Sequence, residues 1–164
     1  MFDFLISSVT VAGIYALMAL GLNLQAGYSG LLNFGHIAFA GIGAYATGIA
    51  IQSGWGGFSG AAIGVCVAMA LGWCIARLGR NLASDYWGIA TLAIAEILRT
   101  AATNEVWLTG GAQGISAIPS LFDGLGRPWN AMAFLALVLL AVLVFALACR
   151  RVGNGRFGRA LRLM

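Results

Sequence analysis

Lysine is absent from the 164 residues, and all nine basic side chains are arginine. A phosphate-cradling P-loop needs a lysine to reach the β/γ-phosphates. These residues therefore hold no Walker A motif, which excludes a P-loop ATPase. Charge of either sign is scarce: there are five acidic residues and one histidine, and charged residues make up 9%. An ordinary soluble domain carries about 25%. Against these shortages stand 61% hydrophobic residues and a mean hydropathy of +0.93. Too few polar side chains remain to cover a water-facing surface. Disorder is excluded too, because it requires low hydrophobicity. A membrane protein is the class left. The three cysteines, Cys66, Cys74 and Cys149, lie in apolar runs without CxxC spacing or a nearby histidine. They read as buried small hydrophobes, not as metal or redox groups.

Five apolar stretches are present, at residues 4–24, 34–51, 58–78, 86–103 and 129–149. Crossing about 30 Å of hydrocarbon at about 1.5 Å per residue takes about 20 helical residues. The predicted fold is all-α: a polytopic transmembrane helix bundle of about five membrane segments, forming one domain over residues 1–164. The second and fourth stretches are short. Short, Gly-interrupted segments suit broken or re-entrant helices that line a cavity. The first stretch begins Met1-Phe2-Asp3 without a basic leader and reads as an uncleaved membrane helix.

Arginine placement sets the orientation. Arg77 and Arg80 follow the third stretch, and Arg150, Arg151, Arg156, Arg159 and Arg162 follow the fifth. Two crossings separate the groups, so both can lie on the cytoplasmic face of a bacterial inner membrane, as the positive-inside rule prefers. The N-terminus and the loop 104–128, whose lone basic residue is Arg127, are then external. Residues 150–164 form a basic cytoplasmic tail. Charge gathered in that tail fits a membrane flank better than a nucleic-acid surface.

Small residues carry a packing signal. Gly60, Gly64, Ala68, Gly72 and Ala76 recur every four residues, one smooth helical stripe against which another helix can approach closely. Ala40, Ala44 and Gly48 repeat the device in the second stretch. Residues 133–140 are bulky on every side, which suits contact with lipid.

Polar groups in hydrocarbon are costly, so each needs an account. The densest cluster runs from Gly21 to His36 and includes Asn23, Gln25, Ser29 and Asn33. It reads either as a polar turn reaching into a translocation pathway or as a cytoplasmic loop with a helix start at Asn33. His36 has no acidic or cysteine neighbour in sequence, which makes it a poor metal ligand and favours hydrogen-bonded packing. Ser29 is not in a GxSxG elbow, because position 31 is Leu. Glu96 and Arg99 are three apart and share a helix face that Thr100 and Thr103 extend. They read as a pathway or gate element, or as a structural ion pair near the outer interface. In the external loop, Thr109-Gly110-Gly111 with Gly114 is turn-forming.

Taken together, these segments resemble a known family. Gly21-Leu22-Asn23-Leu24 with Gly27-Tyr28-Ser29-Gly30-Leu31-Leu32-Asn33-Phe34-Gly35-His36, then Gly43-Ala44-Tyr45, is similar to the permeases of branched-chain amino-acid ABC transporters, most closely the LivM type. Thr91-Leu92-Ala93 with Ala95-Glu96-Ile97-Leu98-Arg99, then Leu108-Thr109-Gly110-Gly111, continue the resemblance. Gly155-Arg156-Phe157-Gly158-Arg159-Ala160-Leu161-Arg162 resembles the segment ahead of the family's ATPase-coupling loop.

The resemblance implies a non-enzymatic permease subunit that imports branched-chain amino acids. It implies a second permease, two cytoplasmic ATPase subunits holding ATP and Mg, and an external substrate-binding protein as partners. This chain itself would bind no cofactor or metal. Asn23, Asn33, His36, Glu96 and Arg99 become candidates for the pathway or gate. Thr109, Gly110 and Gly111 become candidates for the face toward the binding protein, and Arg156, Arg159 and Arg162 for the ATPase side. The resemblance also implies members about twice this length, with a coupling segment and further helices beyond Met164. Competing classes are a urea or short-amide ABC permease, an ATP-independent channel or secondary transporter, and an intramembrane enzyme. The last would have Glu96 as its lone acidic residue at depth.

Overall fold

The computed structural model describes residues 1–28, 30–122, 124, 126 and 128–155, without the side chains of Asp85 and Asn154. Among these residues every regular element is helical. Helix α1 spans Phe2–Leu22 and continues without a break into a π-helical turn, Asn23–Tyr28. Then come α2 (His36–Gln52), α3 (Gly57–Leu78), α4 (Ser84–Asn104), the short α5 (Val106–Thr109), a 3₁₀ turn (Gly111–Gln113) and α6 (Trp129–Asn154). Five long helices thus cover the five apolar stretches. Three of them are long and apolar enough to cross a membrane, at Phe2–Tyr28, Gly57–Leu78 and Trp129–Gly153. Helix α2 has only 17 residues. Helix α4 has 21, but Glu96, Arg99 and its threonines dilute its apolar character.

The chain divides into two compact units: Met1–Leu31 with the chain from Leu121 onward, and Leu32–Ser120. In the first, α1 packs on α6. Gly13 sits so close to Val138 that a β-carbon there would lie 2.6 Å from its Cγ1. Fifteen residues further along both helices, the Tyr28 ring lies against Gly153. Contacts that advance together mean parallel helices, so a chain crossing a membrane in α1 must recross an odd number of times before α6. Helix α6 buries little of itself, in keeping with its uniformly bulky surface.

In the second unit, the small-residue stripe of α3 meets α2 in antiparallel fashion. Gly60 faces Thr47 and Ile51, Gly64 faces Gly43 and Thr47, and Gly72 faces Phe39. The α2 side of this seam is therefore Phe39, Gly43, Thr47 and Ile51. The expected stripe Ala40-Ala44-Gly48 lies elsewhere: Ala44 is exposed, and Gly48 packs on Ile115 and Ile118. The four-residue period was right for both helices, but one residue of phase turns a helix by about 100°. Cys66 and Cys74 lie exposed on α3. Their apolar character is spent on the outer face of the helix, not in a core.

Helix α4 runs parallel to α2. Gly35 abuts the Thr91 backbone at one end, and Gln52 Nε2 donates to Ser116 O at 3.3 Å at the other. The α3–α4 corner closes where the Trp87 ring lies on Gly79. That corner carries Arg77, whose guanidinium sits 4.7 Å over the Trp73 ring, and Arg80. Exposed Trp55 and Trp107 occupy the opposite end of the unit. Aromatic side chains at both ends suit the two interfaces of a bilayer.

Candidate functional site

The helical period brings Ile37, Ala38, Gly41, Ile42 and Tyr45 onto one face of α2. It brings Leu92, Ala95, Glu96, Arg99, Ala102 and Thr103 onto one face of α4. These faces enclose an open groove of about 390 Å³ that Phe34 also lines. Such a volume lies within the range typical of small-molecule sites, about 300–1,000 Å³. Its walls are largely apolar. At Gly41 a β-carbon would meet nothing within 4 Å, so the missing side chain leaves the groove wider there.

The groove's charge is concentrated in one pair. Arg99 donates through Nε to Glu96 Oε2 at 2.9 Å and through Nη2 to Glu96 Oε1 at 2.5 Å. This is the bidentate fork that makes an arginine–carboxylate contact geometrically specific. Helical side chains lean toward the N-terminus, so Arg99 reaches back one turn and Glu96 receives it. Both side chains remain more than half exposed to the groove and beyond. Thr103 lies one turn on, its hydroxyl between the carbonyls of Arg99 (3.1 Å) and Thr100 (3.0 Å).

The other pathway candidates have different placements. Asn33 is buried, and its Oδ1 accepts the Gly35 N–H at 3.0 Å. That bond closes a turn just before the N-terminus of α2. The helix start, at Asn33 in one of the two readings of the sequence, lies at His36, because Asn33 and Gly35 are used in the turn. Gly35 must lack a side chain, since a β-carbon there would fall on the Thr91 carbonyl. His36 is the first residue of α2, half-buried, and it does not line the groove. Asn23 belongs to the first unit and opens the π-helical turn, where its Oδ1 occupies the space a β-carbon on Gly27 would need. The polar run from Gly21 onward is thus helical as far as Tyr28, and no sequence signal marked the widened turn.

Thr109, Gly110 and Gly111 form an internal latch at the end of α4. The Thr109 hydroxyl lies 2.6 Å from Ala102 O and 2.8 Å from Glu105 O, and it accepts the Gly111 N–H at 3.2 Å. Gly110 and Gly111 have φ of 76° and 65°, the left-handed region where glycine is favoured. Thr109 and Gly111 are buried, whereas Val106 and Trp107 beside them are exposed. Trp107 Nε1 donates to Glu105 Oε2 at 2.6 Å. Arg156, Arg159 and Arg162 lie outside the described residues, as do Ser29 and Arg127. Among the described residues no three His, Cys, Asp or Glu side chains converge as a metal site would require.

A family model described as branched-chain amino acid transport system, permease component, matches residues 4–164. The chain is similar to the high-affinity branched-chain amino acid transport system permease protein LivM of Escherichia coli (strain K12), with 38% identity over 111 residues, 67% of this chain and 26% of that protein. It is similar to the probable branched-chain amino acid transport permease protein LivM of Methanocaldococcus jannaschii, with 27% identity, covering 93% of this chain and 54% of that protein. It is similar to the high-affinity branched-chain amino acid transport system permease protein LivH of Escherichia coli (strain K12), with 29% identity, covering 95% of this chain and 56% of that protein. The chain spans 26% to 56% of the length of these relatives. No solved structure matches it.

Proposed function

Because the chain belongs to the branched-chain amino acid transport permease family, we propose that it is a membrane-embedded permease part of an ABC importer for branched-chain amino acids. The observation that carries this reading is the family match over residues 4–164, nearly the whole chain. The apolar helices support a place in the membrane. Energy then comes from ATP and Mg held by two separate cytoplasmic ATPase subunits. A second permease completes the path, and an external binding protein delivers the substrate.

The topology supports a bacterial inner-membrane orientation. Taking α1, α2, α3, α4 and α6 as five successive crossings, chain connectivity puts Arg77, Arg80, Arg150 and Arg151 on one side. By the positive-inside rule that side is cytoplasmic. Arg156, Arg159 and Arg162, next in the sequence, are the candidates for contact with the ATPases. The 105–120 segment faces outward, its latch at Thr109, Gly110 and Gly111 holding Val106 and Trp107 toward the binding protein. Within this reading the α2–α4 groove with Glu96 and Arg99 is the part of the path this chain supplies, while Asn33 and His36 shape the start of α2.

The test is L-leucine uptake into proteoliposomes containing the chain with its second permease, ATPase subunits and binding protein. Saturable uptake that requires both ATP and the binding protein is expected. Uptake by the chain alone without ATP would replace the importer with a channel or secondary transporter. Uptake of urea or a short amide in place of L-leucine would overturn the substrate class.

A further inference from the structure

We propose that the Glu96–Arg99 pair is a charge-exchange site for a zwitterionic amino acid whose apolar side chain lies in the α2–α4 groove. The inference rests on the permease reading and adds to it the place and manner of contact. Three observations carry it. The pair is bidentate, with contacts of 2.9 and 2.5 Å, yet both side chains are more than half exposed, so a ligand can reach them without unfolding α4. The walls beside it, Ile37, Ile42 and Leu92, are apolar and branched. Gly41, which lines the same groove, leaves space there unfilled.

The electrostatics favour one kind of ligand. A lone charge inside a membrane is expensive, whereas a paired one is tolerated. The groove with its ion pair is neutral. A zwitterion can insert its ammonium against the Glu96 carboxylate and its carboxylate against the Arg99 guanidinium, and the groove remains neutral. Each salt contact broken is replaced by one made, and no covalent bond changes. A free amine or a free carboxylic acid satisfies one member of the pair and leaves the other unmatched. A cationic amino acid brings net charge to the site. The pair therefore selects for both charged ends at once, and the apolar wall selects for a hydrocarbon side chain between small and large.

The test is equilibrium binding to the full chain in lipid nanodiscs, with L-leucine, 3-methylbutylamine and 4-methylpentanoate as probes. The wild type is expected to bind L-leucine at least about tenfold more tightly than either half-ligand, the worth of one charged hydrogen-bonded contact. Arg99→Gln should erase the advantage of L-leucine over the amine, and Glu96→Gln its advantage over the acid. Gly41→Leu keeps the pair and adds bulk where a β-carbon meets nothing, so it tests the groove even where the neutral variants fail to fold. It should weaken all three probes. Equal shifts for all three probes in Arg99→Gln and Glu96→Gln, or unchanged binding in Gly41→Leu, would overturn the site. Uptake separates the two readings. If the assembled wild-type transporter imports L-leucine and Arg99→Gln or Glu96→Gln imports it at the same rate, the permease reading stands and the exchange site falls. If the assembled wild type imports none, both fall.

Discussion

Gly64→Ala tests the α2–α3 seam with a single carbon. A β-carbon on Gly64 would lie 2.5 Å from the Gly43 carbonyl oxygen and closer still to the Thr47 hydroxyl. That hydroxyl already donates to Gly43 O at 2.8 Å. The carbonyl belongs to the α2 backbone, so the helices must separate or slide. Overpacking of this kind costs about 1–3 kcal/mol, and disturbing the Thr47 hydrogen bond adds about 0.5–1.5 kcal/mol. Alanine returns about 1 kcal/mol through its helix propensity, which leaves a net loss of about 0.5–3.5 kcal/mol. Gly72→Ala is the matched control, because its nearest neighbour is the Phe39 ring at 3.9 Å, an ordinary contact. Its stability should be unchanged or higher by up to about 1 kcal/mol. Reversible unfolding in mixed micelles compares the two. Adding Thr47→Ala to Gly64→Ala should recover only part of the loss, since the Gly43 carbonyl remains in place. If Gly64→Ala and Gly72→Ala prove equally stable, the seam is not formed by this stripe and the antiparallel packing is wrong.

Thr109→Val keeps the shape of the latch but removes a hydroxyl that serves two carbonyls and one N–H, at a cost of about 1–3 kcal/mol. Amide hydrogen exchange should quicken across residues 105–114, and unchanged protection would show that the hydroxyl is dispensable. Glu96→Ala should lower L-leucine uptake by about tenfold, the value of a charged hydrogen-bonded contact, while Glu105→Ala changes it little. Equal and negligible effects would remove Glu96 from the pathway. Arg150→Cys in a cysteine-free background should react with a membrane-impermeant maleimide only from the cytoplasmic side. Labelling from outside would invert the topology.

Much of the fold was legible because membrane helices announce themselves by composition. The stretches 58–78 and 86–103 differ from α3 and α4 by no more than two residues at either end. Glycine spacing named the α3 face correctly. It could not name the α2 face, because Ala40-Ala44-Gly48 and Phe39-Gly43-Thr47-Ile51 are both four-residue series, and small size alone does not choose between them. The chosen series holds the bulkier residues: Phe39 and Ile51 fill the space that the α3 glycines leave. The Glu96–Arg99 pair was legible from its three-residue spacing. The groove was not, since it depends on α2 lying parallel to α4, a relation between segments some 50 residues apart. The π-helical turn was hidden for another reason. Asn23, Gln25 and Gly27 look like loop residues, yet the helix continues through them.

The two kinds of polar and apolar accounting in this chain point to the same solvent. The three spanning helices bury no more than 17% of their most apolar windows inside the structure. In water that exposed apolar surface would drive aggregation, whereas in lipid it carries no such penalty. Unsatisfied polar groups are the costly item in hydrocarbon. Among the described residues the buried polar side chains are Thr10, Asn33, Thr91 and Thr109. Each bonds to backbone near it in sequence: Thr10 to Ile6 O at 2.7 Å, Thr91 to Gly88 O at 2.9 Å, Asn33 to Gly35 N–H, and Thr109 to Ala102 O. Glu96 and Arg99 follow the same rule one turn apart. Polar satisfaction of these buried side chains is therefore local, while the Gln52 Nε2–Ser116 O bond joins α2 to the 114–120 segment; the α2–α3 and α1–α6 seams rest on glycine, alanine and the side chains that fill their gaps. A segment built this way is stable in lipid before it finds its neighbours. Its neighbours can then shift without stranding the four buried polar side chains.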